Sequence, residues 1–427
     1  MTMDDQTGAK RNSISISLSS PICRTVFVAL VAAAAFLFCS CAWLDYAASR
    51  AANIGTYEGI QRAIRLSPGN ARYWYIAGSY SLFGAQDVPT ATQQFATSVH
   101  LNPWSAAAWL SLANAYQIVG DTEKERLALE SAVQADPRTP DVSWEAGNFY
   151  FVQGDIASSA RLFAAVIEND PDRSKRAFQL LWASKPDAQF ILENAIPQIV
   201  DRHFLFLNFL CENGQFEAAQ SVWKRIRGLR QPFPAMSAYP YLDFLIRTKH
   251  WDEASTVWEE LADDNPSEIA HRGPNLVVNS SFEDAISNGG FDWRYKPSRG
   301  VTISVDPVVA SAGSRSLAIV FDGAPPDAGV EQYVLVSPNS KYHFSVSMRS
   351  EDIQSSSGPR VAVYDAYDDK RYAMSDDMLE TSVWHRQDIE FEVGPDTHLI
   401  SIKIIREPSN AAIKGKLWID DVQLRKE

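Results

Sequence analysis

The chain has 427 residues, a net charge of −13 and 46% hydrophobic content. That length exceeds a single core and calls for two or three domains. The acidic balance argues against a nucleic-acid backbone as partner, because no strongly basic face is implied.

Residues 1–20 are polar and serine-rich and read as a disordered cytoplasmic tail. Residues 25–44 (TVFVALVAAAAFLFCSCAWL) carry no charge and are long enough to cross a bilayer once. Lys10, Arg11 and Arg24 precede this stretch and Asp45 follows it, so the positive-inside rule places everything after it on the exported side. A cleaved signal peptide and a lipoprotein are alternatives, although Phe38-Cys39-Ser40-Cys41 matches a lipobox poorly. Cys23, Cys39 and Cys41 lie in or beside this segment, which leaves Cys211 alone: too few thiols for a disulfide framework or a metal spacing. Cys211 reads as a small buried hydrophobe.

From residue 54 onward one helical pattern recurs. Pro68, Pro103, Pro137 and Pro171 lie 35, 34 and 34 residues apart, each closing an apolar-periodic segment. The clearest unit, Ala106–Thr139, has Trp109, Leu112, Ala113, Tyr116, Gly120-Asp121, Ala132 and Pro137. The next has Gly147, Tyr150, Gly154-Asp155, Phe163 and Pro171. These residues resemble the tetratricopeptide repeat, a helix–turn–helix unit of 34 residues. Small Ala113 and Gly147 let two helices approach, Trp109, Tyr116 and Phe163 fill space between hairpins, and Gly120 and Gly154 end the first helix of each pair. Glu125 departs from the pattern, standing where the family usually has alanine.

The pattern weakens beyond Pro171 but persists through Phe204–Ile226 and Tyr241–Leu261, with Lys249 in the place of a turn glycine. The expectation is one solenoid over 46–266 with five to six hairpins. In such an array the first helices line a concave groove. Leu110, Asn114, Gln117, Asp141, Trp144, Asn148 and Phe151 fall there, and Asn114 and Asn148 are placed to hydrogen-bond a peptide backbone. No basic clamp for a C-terminal carboxylate is present, because Leu110 and Trp144 take those sites.

Helical periodicity stops at a linker over 267–274. Eight alternating segments follow: 301–305, 316–321, 331–336, 342–347, 360–364, 385–393, 399–405 and 416–424, which imply an antiparallel β-sandwich. The segments Asn275–Glu283, Gly313–Leu317, Trp384 with Glu390-Phe391, and Leu417–Leu424 resemble the jelly-roll carbohydrate-binding modules of the galactose-binding-like group over 275–427. Phe282, Leu317, Phe391 and Trp418 are expected to point inward. The resemblance implies a structural calcium at Glu283 and Asp421, with Asp420 as a substitute; no other cofactor is expected. It also implies a glycan face of aromatic rings with polar neighbours: Trp293, Arg294, Tyr295, Tyr364, Tyr367 and Arg406, with Tyr372 and Arg349 as further candidates.

The anchor, repeats and sandwich together are similar to a bacterial envelope family associated with extracellular polysaccharide or O-antigen production. The resemblance implies a single-pass inner-membrane protein with its bulk in the periplasm. No HExxH, phosphate loop or nucleophile elbow occurs, so the expectation is a non-enzymatic scaffold that binds protein partners through its groove and glycan through its sandwich. A pure protein-interaction module with a structural sandwich, or a glycan-processing enzyme with a carboxylate pair assembled from distant residues, are the alternatives.

Overall fold

The computed structural model describes residues 20–265, 274–323, 328–368 and 370–427. The expected tail, apart from Ser20, and the expected linker, apart from Pro274, lie outside the described residues. The chain is helical first and antiparallel β second. It divides into two compact units after Lys185.

The first unit contains α1 (Pro21–Ala52), α2 (Tyr57–Leu66), α3 (Ala71–Ser79), α4 (Val88–Leu101), α5 (Ala106–Val119), α6 (Thr122–Ala135), α7 (Pro140–Val152), α8 (Ile156–Asn169) and α9 (Pro171–Ser184). The apolar stretch is part of α1, whose most apolar window has a mean hydropathy of 2.4 and is not buried by protein. A helix of that length and composition can span a membrane or serve as a signal sequence. Its C-terminal end is also the first helix of the array: Ala48 and Ala51 are buried against Ala63 and Tyr73. The hairpins α1/α2, α3/α4, α5/α6 and α7/α8 follow the repeat spacing. Gly120 and Gly154 take left-handed φ of +80° and +79°, which ends one helix. The carboxylates of Asp121 and Asp155 then accept the N–H of Lys124 and Ser158, which starts the next. Close approach explains Gly147, because a Cβ there would sit 2.6 Å from the Phe163 ring.

The second unit opens with α10 (Ala188–Asn194), α11 (Val200–Glu212), α12 (Phe216–Leu229), α13 (Tyr239–Arg247) and α14 (Trp251–Asp264), with α11/α12 and α13/α14 as hairpins. Lys249, in the turn between α13 and α14, adopts φ +64°, the conformation a glycine would take there most easily.

The sandwich has β1 (Val301–Asp306), β2 (Ser316–Asp322), β3 (Glu331–Leu335), β4 (Lys341–Gln354), β5 (Pro359–Asp365), β6 (Arg371–Met374), β7 (Glu380–Glu392), β8 (Leu399–Arg406) and β9 (Lys414–Lys426). One sheet has the order β1-β2-β9-β4-β7 and the other β3-β8-β5-β6, all antiparallel. All eight expected segments are strands; β6 is additional. Phe282, Leu317 and Phe391 enter the core between the sheets. Trp418 does not. Leu317 and Ile419 are paired and face inward, so alternation turns Trp418 to the outer face. There it is 4% exposed under Arg349 and Lys416, and its indole N–H donates to Asp306.

The last helical hairpin packs on the sandwich inside this unit. Phe291 meets Trp258 edge-on, 5.7 Å between ring centres. Trp251 stacks on His398 at 4.3 Å and donates its N–H to the Tyr367 hydroxyl, which in turn donates to the Ile246 carbonyl. Gly290, at φ +56°, leaves no room for a Cβ beside the Trp258 ring.

Candidate functional site

In the first unit α5, α6 and α7 enclose a groove of about 640 Å³. Leu110, Asn114 and Gln117 come from α5, and Asp141, Glu145 and Asn148 from α7. Their spacing of three to four residues puts each set on one helix face. Asn114 and Gln117 are exposed and Asn148 is half-buried. None of the three amides forms a side-chain hydrogen bond among the described residues, so their donors and acceptors are available to an incoming backbone. Trp144 is not on this wall. It is half-buried and stacks on Phe163, 5.2 Å between ring centres.

The groove also holds Glu125, from the first turn of α6, 9% exposed. Burial pushes its carboxyl above the ordinary glutamate value, and no donor offsets that. The groove role of Glu125 was not read from the sequence, although its replacement of the usual alanine was the signal.

In the second unit the expected glycan residues separate. Trp293 is 1% exposed, packed on Phe282 at 5.2 Å, with its N–H donating to the Asn279 carbonyl. No face of this ring is open to a sugar. The Tyr367 hydroxyl is engaged by the helical hairpin, and the Lys249 ammonium stands 4.8 Å from its ring. Arg406 is 3% exposed and donates to the Ser357 and Ala411 carbonyls and the Ser355 hydroxyl. Tyr372 stacks on Phe391 and bonds Thr397. These residues are structural because the hairpin and the core consume their polar ends and faces.

Two of the candidates remain at an opening. Arg294 and Tyr295 line a pocket of about 430 Å³ together with Asp243, Asn288, Lys296, Glu331 and Lys403. Arg294 pairs with Asp243 at 3.1 Å, donates to the Gly290 carbonyl and lies over the Tyr333 ring. Lys403 reaches toward the half-buried Tyr364 ring, 5.6 Å away, which places that third candidate beside the same opening. Asp243, Asn288, Glu331 and Lys403 were not singled out beforehand. All four come from different segments, and only the fold joins them.

The expected calcium ligands have other partners. Glu283 accepts N–H bonds from Ser314 and Arg315 and the hydroxyl of Ser314, which holds its carboxyl below the usual range. Asp421 binds Arg386 and Gln423, and the buried Asp420 accepts N–H bonds from Ser311, Ala312 and Asp421. Carboxylates already surrounded by N–H and O–H donors do not fit a hard cation. Among the described residues no group of three or more His, Cys, Asp or Glu could hold a metal. Cys211 is buried within α11, its thiol pushed up to about 12 by desolvation, which keeps it un-ionised and unreactive near neutrality.

No protein-family model matches the chain, and no curated protein does. Among solved structures it is similar to a family 16 carbohydrate-binding module at 21% identity, over 35% of this chain and 99% of that one, with a TM-score of 0.27. A family 61 carbohydrate-binding module in complex with β-1,4-galactotriose is 17% identical over 36% of this chain and 100% of that one, TM-score 0.26. YrrB, a tetratricopeptide protein with an unusual peptide-binding site, is 15% identical over 50% of this chain and 95% of that one, TM-score 0.25. At such identities and scores the likeness carries no ligand over to this chain.

Proposed function

We propose that this chain is a membrane-anchored, non-enzymatic scaffold whose groove holds an extended segment of a partner protein. The carrying observation is the convergence of the unpaired Asn114, Gln117 and Asn148 amides on one groove. Paired amides on adjacent helices can bond a peptide backbone whatever its side chains, which suits a holder of protein segments. The pocket at Tyr295, Arg294 and Lys403 is the surface best suited to a glycan: one aromatic ring beside charged donors and acceptors. Apolar α1 anchors the protein in the inner membrane with its bulk outside the cytoplasm, supported by the basic residues before the span and Asp45 after it. A role in extracellular polysaccharide or O-antigen assembly rests on the sequence resemblance in the order anchor, repeats, sandwich.

The groove is tested with the full chain in detergent and an array of immobilised nine-residue peptides. Wild type is expected to retain a subset, and N114A/N148A to bind that subset about tenfold more weakly, as loss of two hydrogen bonds of roughly 0.5–1.5 kcal/mol each implies. Equal binding by the double variant rejects the groove. For the pocket, Tyr295→Ala and Lys403→Ala should each abolish retention of any hit from a polysaccharide panel. A panel without hits removes the glycan half. The second reading, a pure protein-interaction module, is favoured by the structural use of Trp293, Tyr367 and Arg406 and would then stand. Release of sugar from any polymer would replace both with an enzyme.

A further inference from the structure

Position 125 is where the groove departs most from what packing alone would choose. Three carboxylates line the groove, Glu125, Asp141 and Glu145, and no lysine, arginine or histidine lines it. Asp141 is offset by Arg173 at 2.6 Å from outside the lining. Glu145 has no ion pair among the described residues. Glu125 differs from both: it is nine-tenths buried, lines the cavity and has no side-chain partner among the described residues. Its carboxylate oxygens open onto the groove, yet nothing among the described residues pairs with them, where a polar group this shielded is ordinarily paired. The repeat pattern offers a cheap alternative, alanine, at this site. A shielded carboxylate that nothing among the described residues pairs, on a groove lined by no cation, is matched by a cationic partner from outside.

We propose that the groove selects a lysine- or arginine-bearing segment, and that the cationic side chain enters the groove to pair with Glu125. The proposal rests on the reading that the groove holds a peptide and adds the chemistry of what it holds. The amides of Asn114, Gln117 and Asn148 take the backbone of the incoming chain, Glu125 takes the cation at the floor, and Glu145 adds to the field that draws it in. A charge-assisted bond to a desolvated carboxylate is stronger than one formed at the surface, so a single position of the peptide should dominate specificity.

The test uses the full-length chain in detergent micelles and a nine-residue peptide library whose members differ at one position: lysine, arginine, norleucine or glutamate. Norleucine keeps the aliphatic stem of lysine without its charge. Wild type is expected to bind the lysine or arginine peptides at least about tenfold more tightly than the norleucine ones, a difference at the low end for a desolvated charge pair. E125Q keeps the shape and loses the charge; it should bind norleucine peptides as wild type does and show no preference for the cation. If E125Q retains the preference, or if wild type binds peptides without any, Glu125 is not the selecting group and the groove reading survives alone. If wild type binds no member at all, both readings fall. A second measurement covers folding: E125A and E125Q should melt at or above the wild-type temperature. A lower melting temperature for both would mean that Glu125 serves the fold, and would overturn the proposal.

Discussion

Removing the indole of Trp293 leaves a hole in the core of the sandwich, where the ring packs on Phe282 and bonds the Asn279 carbonyl. Trp293→Ala is expected to cost about 3–5 kcal/mol, the usual range for emptying a buried aromatic site, and thermal or denaturant unfolding checks it. A variant that unfolds like wild type would mean that the ring is not in the core. The sequence could not separate this residue from a sugar platform, since an aromatic in a loop between strands has no periodicity to orient it. Trp418 shows the converse difficulty. It sits in a strand whose alternation is interrupted by a change of register between β4 and β9 near Asp420, so inward and outward positions could not be counted from one end. The groove amides were easier to place. Asn114, Gln117 and Asn148 lie on helices of unbroken 3.6-residue period, and Leu110 and Asp141 join them on the wall, whereas Trp144 stacks on Phe163 and Phe151 does not line the groove.

Elements were legible where pattern and punctuation agree, as at Gly120-Asp121 and Gly154-Asp155, where a left-handed stop is followed at once by a cap. Strand β6, four residues long, was too short to show alternation. The boundary between helices and sandwich was legible as a change of period but not as a boundary of stability. The segment Gly289–Arg294 of the sandwich lies against α13 and α14: Phe291 on Trp258, Arg294 on Asp243 and Tyr239 over Gly289. Contacts between residues so far apart in sequence leave no local signature. A fragment 275–427 would therefore expose Phe291 and the His398 and Tyr367 faces that Trp251 covers. Uncovering Phe291 alone costs about 1.5–3 kcal/mol. Expressed side by side, 186–427 should be monodisperse on gel filtration and resist protease, whereas 275–427 should melt lower and aggregate. Equal melting temperatures would show that the hairpin contributes nothing to the sandwich.

At the scale of the molecule, α1 joins two unlike parts in one helix. Its apolar stretch is bare of protein contacts, while Ala48 and Ala51, in its last turns, are buried with Ala63 and Tyr73. Because a helix is stiff over this length, the first hairpin is held at a fixed distance from the end of the apolar stretch. The consequence is that the apolar stretch can be cut away only up to a point. A chain starting at Asp45 keeps Ala48 and Ala51, and also the bond from Ser67 to Asp45. It should be soluble without detergent and protect the amides of α2 from hydrogen exchange as the full chain does. A chain starting at Gly55 lacks the partner of α2. A ten-residue helix whose Ala63 has lost Ala48 and Ala51 is too short to hold by itself, so its amides should exchange much faster than in the full chain while those of α5–α8 stay protected, since stacked repeats lend stability mainly to their neighbours. Full protection of α2 in the shorter chain would mean that the array begins at α2, and that α1 contributes nothing to it.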